Sequence, residues 1–429
     1  MNKRTGILIA LLLTNCIVGC SSTPEEVVAG AEGSEASTVL ENSSISSDSS
    51  TLAESSESTD TQISGTELES DADTQASAEV TLIMVGDILL HDPIEKVAKD
   101  EAGNYNYDFI FEHMKDDISA ADIALVNQEV IIGGQDLGVS GYPAFNAPFE
   151  IGDALVNTGF DVVCHATNHS LDKGKRGIVN CYDYWQQNHP EITVVGLNGD
   201  ESDYENIDII EKDGIRIAIL NYTYGTNGIS FPSDMPHAVD MLEEAKVEKD
   251  LAYAEENADF TIVCPHWGTE YSLGTDSSQK KWTEIFRAGG ADLVIGTHPH
   301  VIEPIEMLED DEQGITNNHG GGDMLVYYSL GNFVSWTSSS GSGIANRNVG
   351  GMAMVTIERG ADGEVVIKDH SVKALVCHDT SAERGVTVYP LSEYSEELAG
   401  ENEIRFQDSS FTMKYCVELC DKIWGELWK

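Results

Sequence analysis

Basic residues are scarce in this chain of 429 residues: 24 Lys and Arg stand against 74 Asp and Glu, a formal net charge of −50. No Lys or Arg occurs between Arg4 and Lys96. A field of that sign excludes nucleic acid and an anionic membrane face as partners, because both need compensating cations. It leaves room for an anionic substrate held at a metal, where the ion reverses the local sign. The apolar run at residues 7–13 is too short to span a bilayer comfortably. Cysteine is sparse as well, eight residues, and none has the spacing of a zinc pair. Cys164 and Cys264 lie in apolar, strand-like runs and read as small core residues. Cys181 and Cys377 are isolated, Cys416 and Cys420 are one helical turn apart, and no disulfide is assigned.

The N-terminus carries a targeting pattern. Lys3 and Arg4 precede the short apolar run, and Ile17-Val18-Gly19-Cys20-Ser21-Ser22 resembles a bacterial lipobox. Residues 1–20 are therefore expected to be a lipoprotein signal peptide. Cys20 becomes the lipidated N-terminus, and the mature chain is tethered outside the cytoplasmic membrane rather than spanning it. Residues 21–78 are rich in Ser, Thr, Glu, Ala and Asp, with few apolar side chains. Such a stretch cannot bury enough surface to offset its ordering entropy, so it reads as an acidic, flexible tether.

From residue 79 the texture changes. Short apolar strands alternate with helical patterns to about residue 376, and a helical C-terminal extension follows over 377–429. A hairpin is expected where Lys212-Asp213-Gly214 joins two strands, and one helix over residues 108–119. The alternation implies a layered α/β fold, and the antiparallel stretches imply mixed sheets, as one mixed sheet or two packed ones. Hydrophobic content, 41%, is ordinary and allows a sizeable core.

The polar residues fall at one repeated place, just past a strand. Asp87 follows Val85-Gly86, and Asn127-Gln128-Glu129 follows a second strand. His165 to His169, with Asn168 between, follows a third; Pro265-His266-Trp267-Gly268-Thr269-Glu270 follows a fourth; Gly296-Thr297-His298-Pro299-His300 follows a fifth. Carboxylates, an amide and imidazoles thus gather at one sheet edge, where ligands collect in such folds. Hard oxygen with borderline nitrogen suits Mn, Zn or Fe better than Ca or Mg alone. Each residue alone has a plainer reading: a turn aspartate, a capping Asn168, a structural His266, a wall Trp267.

These blocks, with Thr167-Asn168-His169-Ser170-Leu171-Asp172-Lys173-Gly174 and Tyr328-Ser329-Leu330-Gly331-Asn332-Phe333, resemble the CapA family associated with bacterial poly-γ-glutamate capsule synthesis, which is related in fold to the calcineurin-like metallophosphoesterases. The resemblance implies a four-layer α/β/β/α sandwich with one or two divalent transition metal ions at the sheet edge. It implies Asp87 and His300 on the first metal, Glu129 bridging, and Asn168, His266 and His298 on the second. It implies His169 as proton donor, oriented by Asp172. His91, Trp267, Glu270, Ser329 and Asn332 are expected to line the pocket. Leu89 stands where the phosphoesterase pattern usually has a histidine, and His91 or Asp92 is differently spaced. The function implied is a surface-anchored, metal-dependent hydrolase or transferase acting on poly-γ-glutamate or its precursor, beside a membrane-bound polymer synthase or export complex. The alternatives are a non-catalytic polymer-binding scaffold that retains the fold, and a wall-polymer phosphodiesterase.

Overall fold

A computed structural model describes residues 78–309, 323–380 and 385–429. The signal peptide, Cys20 and the acidic tether lie outside the described residues. The chain first builds the parallel part of one sheet: β1 (Glu79–Ile88), β2 (Ile123–Asn127), β3 (Val162–Cys164) and β4 (Thr193–Val195). It then builds a second sheet from β5 (Asp208–Lys212), β6 (Ile215–Thr223), β7 (Phe260–His266), β8 (Leu293–Ile295), β9 (Ile305–Leu308) and β10 (Met324–Tyr327). Here β6, β7, β8 and β10 run parallel, with β5 and β9 as antiparallel edges. The chain returns to the first sheet with β11 (Asn332–Val334), β12 (Val349–Arg359), β13 (Val365–Thr380) and β14 (Gly385–Pro390). The two orders are β14-β13-β12-β1-β2-β3-β4, with β11 beside β1, and β5-β6-β7-β8-β10-β9.

The helices mostly cover the outer faces; the last three, near the C-terminus, pack instead with the core between the sheets. In chain order they are α1 (Asp92–Ala98), α2 (Asp108–Phe111), α3 (Lys115–Ser119), α4 (Glu150–Thr158), α5 (Gly174–Asn188), α6 (Glu201–Glu205), α7 (Glu244–Asn257), α8 (Ser277–Ala288), α9 (Glu396–Glu401), α10 (Ile404–Gln407) and α11 (Met413–Trp424). Strand periodicity sorts the side chains into layers. In β1, Ile83 and Val85 face an outer core with Ile94, Phe111, Leu155 and Trp185. Leu82 and Met84 point the other way, onto Ile219, Ile262, Cys264 and Ile295 of the second sheet. In turn, Val263 and Val294 face Val247, Leu251 and Phe286 of α7 and α8. The result is helix, sheet, sheet, helix: the four-layer α/β/β/α sandwich, with mixed sheets. Strands buried on both faces explain why β1, β2 and β7 are nearly continuous apolar runs.

The structure corrects two expectations. Residues 108–119 form two short helices, because Met114 N–H donates to the Phe111 carbonyl three residues back and the regular ladder breaks there. The sheet does not stop near residue 376. β13 runs on to Thr380 and β14 pairs with it, burying Val386 and Val388 in the outer core; helices begin only at Glu396. α1 opens with Pro93 in its first turn, a position where the missing N–H is harmless. No helix among the described residues is long and apolar enough to cross a membrane.

Candidate metal centre

The C-terminal ends of β1, β2 and β3 from one sheet meet those of β7 and β8 from the other. Two close backbone approaches make this possible. A Cβ on Gly86 would sit 1.9 Å from the Gly331 carbonyl oxygen, and one on Gly296 would sit 2.2 Å from the Tyr328 carbonyl oxygen. Only glycine allows the loops so near each other. Beyond Gly296 the chain enters the left-handed region twice, with φ 97° at His298 and 59° at His300. That conformation is costly for residues with a Cβ and is typical of ligand-holding loops. It turns both rings inward, and the His298 N–H donates to both oxygens of Asp87, at 3.2 Å each.

Asp87 is fully buried. It accepts from Asn127 Nδ2 at 2.8 Å, and its Oδ2 lies 3.0 Å from His300 Nδ1. Glu129 stands at the centre. Its Oε1 is 3.7 Å from His266 Nε2 and 3.8 Å from His300 Nε2, too far for hydrogen bonds. Both Glu129 oxygens are buried without a partner, and so is Nδ1 of His298. His266 Nδ1 lies 3.0 Å from Thr297 Oγ1, and its Nε2 lies 3.0 Å from Asn168 Oδ1.

Three ligand-type groups have their donor atoms within 4.8 Å of one another: Asp87, Glu129 and His300; Glu129, His266 and His298; and Glu270, His298 and His300. Glu129 is common to the first two and joins them. The third adds the exposed Glu270 to the ligand-type side chains, a closer role than the pocket-lining one read from the sequence. Its approach depends on how the loop after β7 folds over the histidines, which linear spacing does not reveal.

The electrostatics favour a cation. Burial, then the charges of Asp87 and Glu270, push the Glu129 carboxyl well above its usual range. Burial, then neighbouring imidazoles, hold His266 and His298 well below theirs, so both rings keep lone pairs for a ligand bond. A buried carboxylate with no partner is expensive, and a divalent ion is the group that satisfies it while reversing the local field. Carboxylate, amide oxygen and neutral imidazole together fit such an ion.

Beside these groups, His169 Nδ1 lies 2.7 Å from Asp172 Oδ2, which also accepts the Phe145 N–H at 2.7 Å. Both ring and carboxylate are nearly buried, and the Phe145 ring meets His169 edge-on. A cleft of about 590 Å³ opens over the site, lined in part by His91, His169, Glu270, His300, Asn332 and Arg347. His91 caps α1 against Phe145, and burial, then His300, lower its pKa to about 4. Leu89 is buried beneath the cleft. Two residues expected to line the pocket stand behind it. Trp267 is in the outer core, its indole N–H donating to the Tyr328 carbonyl, and Ser329 braces the loop by donating to the Val301 carbonyl. The six described cysteines are all buried and free.

The chain is similar to known proteins of one family. The model for "Bacterial capsule synthesis protein PGA_cap" matches residues 81–337. The capsule biosynthesis protein CapA of Bacillus anthracis is 26% identical over 298 residues, covering 66% of this chain and 67% of that protein. The PGA biosynthesis protein CapA of Bacillus subtilis (strain 168) is 27% identical over 281 residues, covering 61% and 65%. The chain thus spans about two thirds of the length of the curated relatives it matches. Among solved structures, the Haemophilus influenzae NAD nucleotidase aligns with a TM-score of 0.43 at 12% identity, covering 82% of this chain and 64% of that one. The 5′-nucleotidase precursor of Thermus thermophilus aligns at 0.40 and 15% identity, covering 70% and 54%. With the family model matching more than half of its length, the chain belongs to the bacterial capsule synthesis protein family PGA_cap.

Proposed function

We propose that this protein is a CapA-type component of poly-γ-glutamate capsule assembly that acts as a metal-dependent hydrolase or transferase. The observation that carries the reading is Glu129, buried without a partner and shared by two ligand-type clusters. In this reading Asp87, Glu129 and His300 hold one divalent ion, and Glu129, Asn168, His266 and His298 a second. Such ions supply Lewis-acid polarisation of an anionic substrate and a more acidic water. The chain's own residues do the rest. Asp87 fixes the His298 backbone and the His300 ring together. Asp172 fixes the His169 ring at the cleft, where its other nitrogen can give a proton to a leaving group. Phe145 and Leu89 keep that side of the cleft apolar.

The lipobox-like sequence supports anchoring through Cys20 on the outer face of the cytoplasmic membrane, next to a polymer synthase or export complex. One observation favours a second reading, a scaffold that binds the polymer without cleaving it. Leu89 offers no ligand atom where a histidine would complete the first cluster. Complementation separates the two readings. A polymer-producing strain lacking its own CapA-type protein receives this chain or its Glu129→Gln variant, and secreted γ-glutamate polymer is measured. The enzyme reading expects output to fall by about tenfold or more in the variant. Full output from Glu129→Gln sinks it in favour of the scaffold. In the same strain, unchanged membrane retention of Cys20→Ser would count against the lipid anchor.

A further inference from the structure

We infer that Arg347 is an oxyanion-binding arm of the cleft, held at a fixed spacing from the Asp87–Glu129–His300 cluster to take a carboxylate of a γ-linked glutamyl chain. The choice of carboxylate rests on the function proposed above; the oxyanion chemistry does not.

Four observations converge on this residue. First, Arg347 is the fixed positive charge among the side chains lining the cleft, in a chain with three times as many acids as bases. Second, among the described residues its guanidinium is spent on no carboxylate. Among the described residues, its side-chain contacts are the face of Tyr271, with Cζ 3.5 Å from the ring centroid, and Thr337 Oγ1, which accepts from Nη1 at 3.2 Å. A guanidinium has five N–H donors in a planar fork, so donors remain for a bidentate anion. Third, the stacking partner is itself held in a costly conformation. Tyr271 has φ 65°, and its N–H donates to the Pro299 carbonyl at 2.7 Å, inside the His298-Pro299-His300 turn. Strain of that kind persists where surrounding structure enforces it, and it places the ring between Arg347 and His300. Fourth, a second tie fixes the same spacing from below. Asn332 Nδ2 donates both to the His300 carbonyl, at 3.2 Å, and to the Arg347 carbonyl, at 3.0 Å. Its Oδ1 is buried without a partner.

Arg347 and the metal-type cluster are therefore linked twice, through Tyr271 and through Asn332. A mobile surface arginine would need neither link. Two anion-seeking points at constant separation suit a substrate with two anionic groups, one at the cluster and one at the arm. A γ-glutamyl chain offers a free α-carboxylate on every residue. A phosphate ester offers the same charge with different shape. The Ser and Thr hydroxyls at 335, 337, 338 and 339 along the same wall can donate to either.

The test is calorimetric titration of the full, metal-analysed chain with two probes, γ-glutamyl-glutamate and phenyl phosphate, repeated for Arg347→Ala and Arg347→Lys. The inference expects Arg347→Ala to weaken γ-glutamyl-glutamate by about ten- to a hundredfold, with bound metal and thermal midpoint unchanged. Arg347→Lys should restore only part of the loss, since lysine cannot stack and fork at once. A loss confined to phenyl phosphate keeps the oxyanion arm and overturns its γ-glutamyl assignment. Parent-like binding of both probes by Arg347→Ala overturns the arm. Should Arg347→Ala lose its thermal transition, the folded Arg347→Lys variant decides: parent-like affinity for both probes overturns the fork, and a partial loss upholds it.

Discussion

His298 and His300 need their left-handed backbones, and Gly296 makes the turn into them possible. At Gly296 a methyl group would meet a backbone oxygen at 2.2 Å and the Trp267 indole nitrogen at 2.3 Å. The backbone contact cannot yield as a side-chain end can, so the loop itself would move. Gly296→Ala is expected to cost about 1–3 kcal/mol in chemical denaturation and to lower metal affinity as the histidines shift. An unchanged unfolding midpoint would mean the loop has slack that the close contacts deny. At this scale much of the site was legible. Asp87, Glu129, Asn168, His266, His298 and His300 each interrupt an apolar strand at its end, and that placement is visible in the chain. Arg347 and Tyr271 were not legible as a unit. Their stack joins two loops distant in sequence, and neither residue type marks a site by itself. Trp267 misled for the opposite reason: it adjoins His266 in the chain, yet successive side chains leave a strand on opposite faces.

Among the elements, α1 carries the clearest electrostatic consequence. It packs Glu95 against the outer core, where Tyr107 donates its hydroxyl to the carboxylate. Burial raises the Glu95 pKa from 4.5 to about 8. The folded state thus binds a proton that the unfolded chain has already lost above pH 4.5. That contribution is fully present below about pH 4.5 and is lost as pH rises through about 8. Glu95→Gln keeps an acceptor oxygen for the Tyr107 hydroxyl and removes the titrating carboxyl. Its thermal midpoint should therefore fall less between pH 5 and pH 8 than that of the parent, by scanning calorimetry. Equal slopes would remove Glu95 from the balance. α1 was not read from the sequence: it is short, and its packing against β14 and the outer core is not visible in linear order. The long elements β12, α7 and α11 were legible from their periodicity. β11, three residues beside β1, depends on its neighbour and carries no pattern of its own.

For the whole molecule, the four layers follow from strands with apolar residues on both faces and helices with one apolar face. The layered α/β class was readable from the alternation of strands and helices, whereas the four-layer arrangement was implied only by the family resemblance. The sheet order was not readable, because pairing β11 and β12 with β1 joins the two ends of the domain. That closure matters for function. It brings Asn332, which bonds the carbonyls of both His300 and Arg347, from the last third of the chain to the site, while β1, β2 and β3 deliver Asp87, Glu129 and Asn168 from its first half. In the proposed function this convergence is built for divalent ions, with Glu129 shared between two of them. Elemental analysis of the untagged full chain, purified without chelator, beside Glu129→Gln tests it directly. At least one Mn, Zn or Fe per parent chain is expected, and less than half that amount in the folded variant, since one ligand serves both clusters. A parent chain that holds no transition metal, or a Glu129→Gln chain that holds as much as the parent, would contradict it.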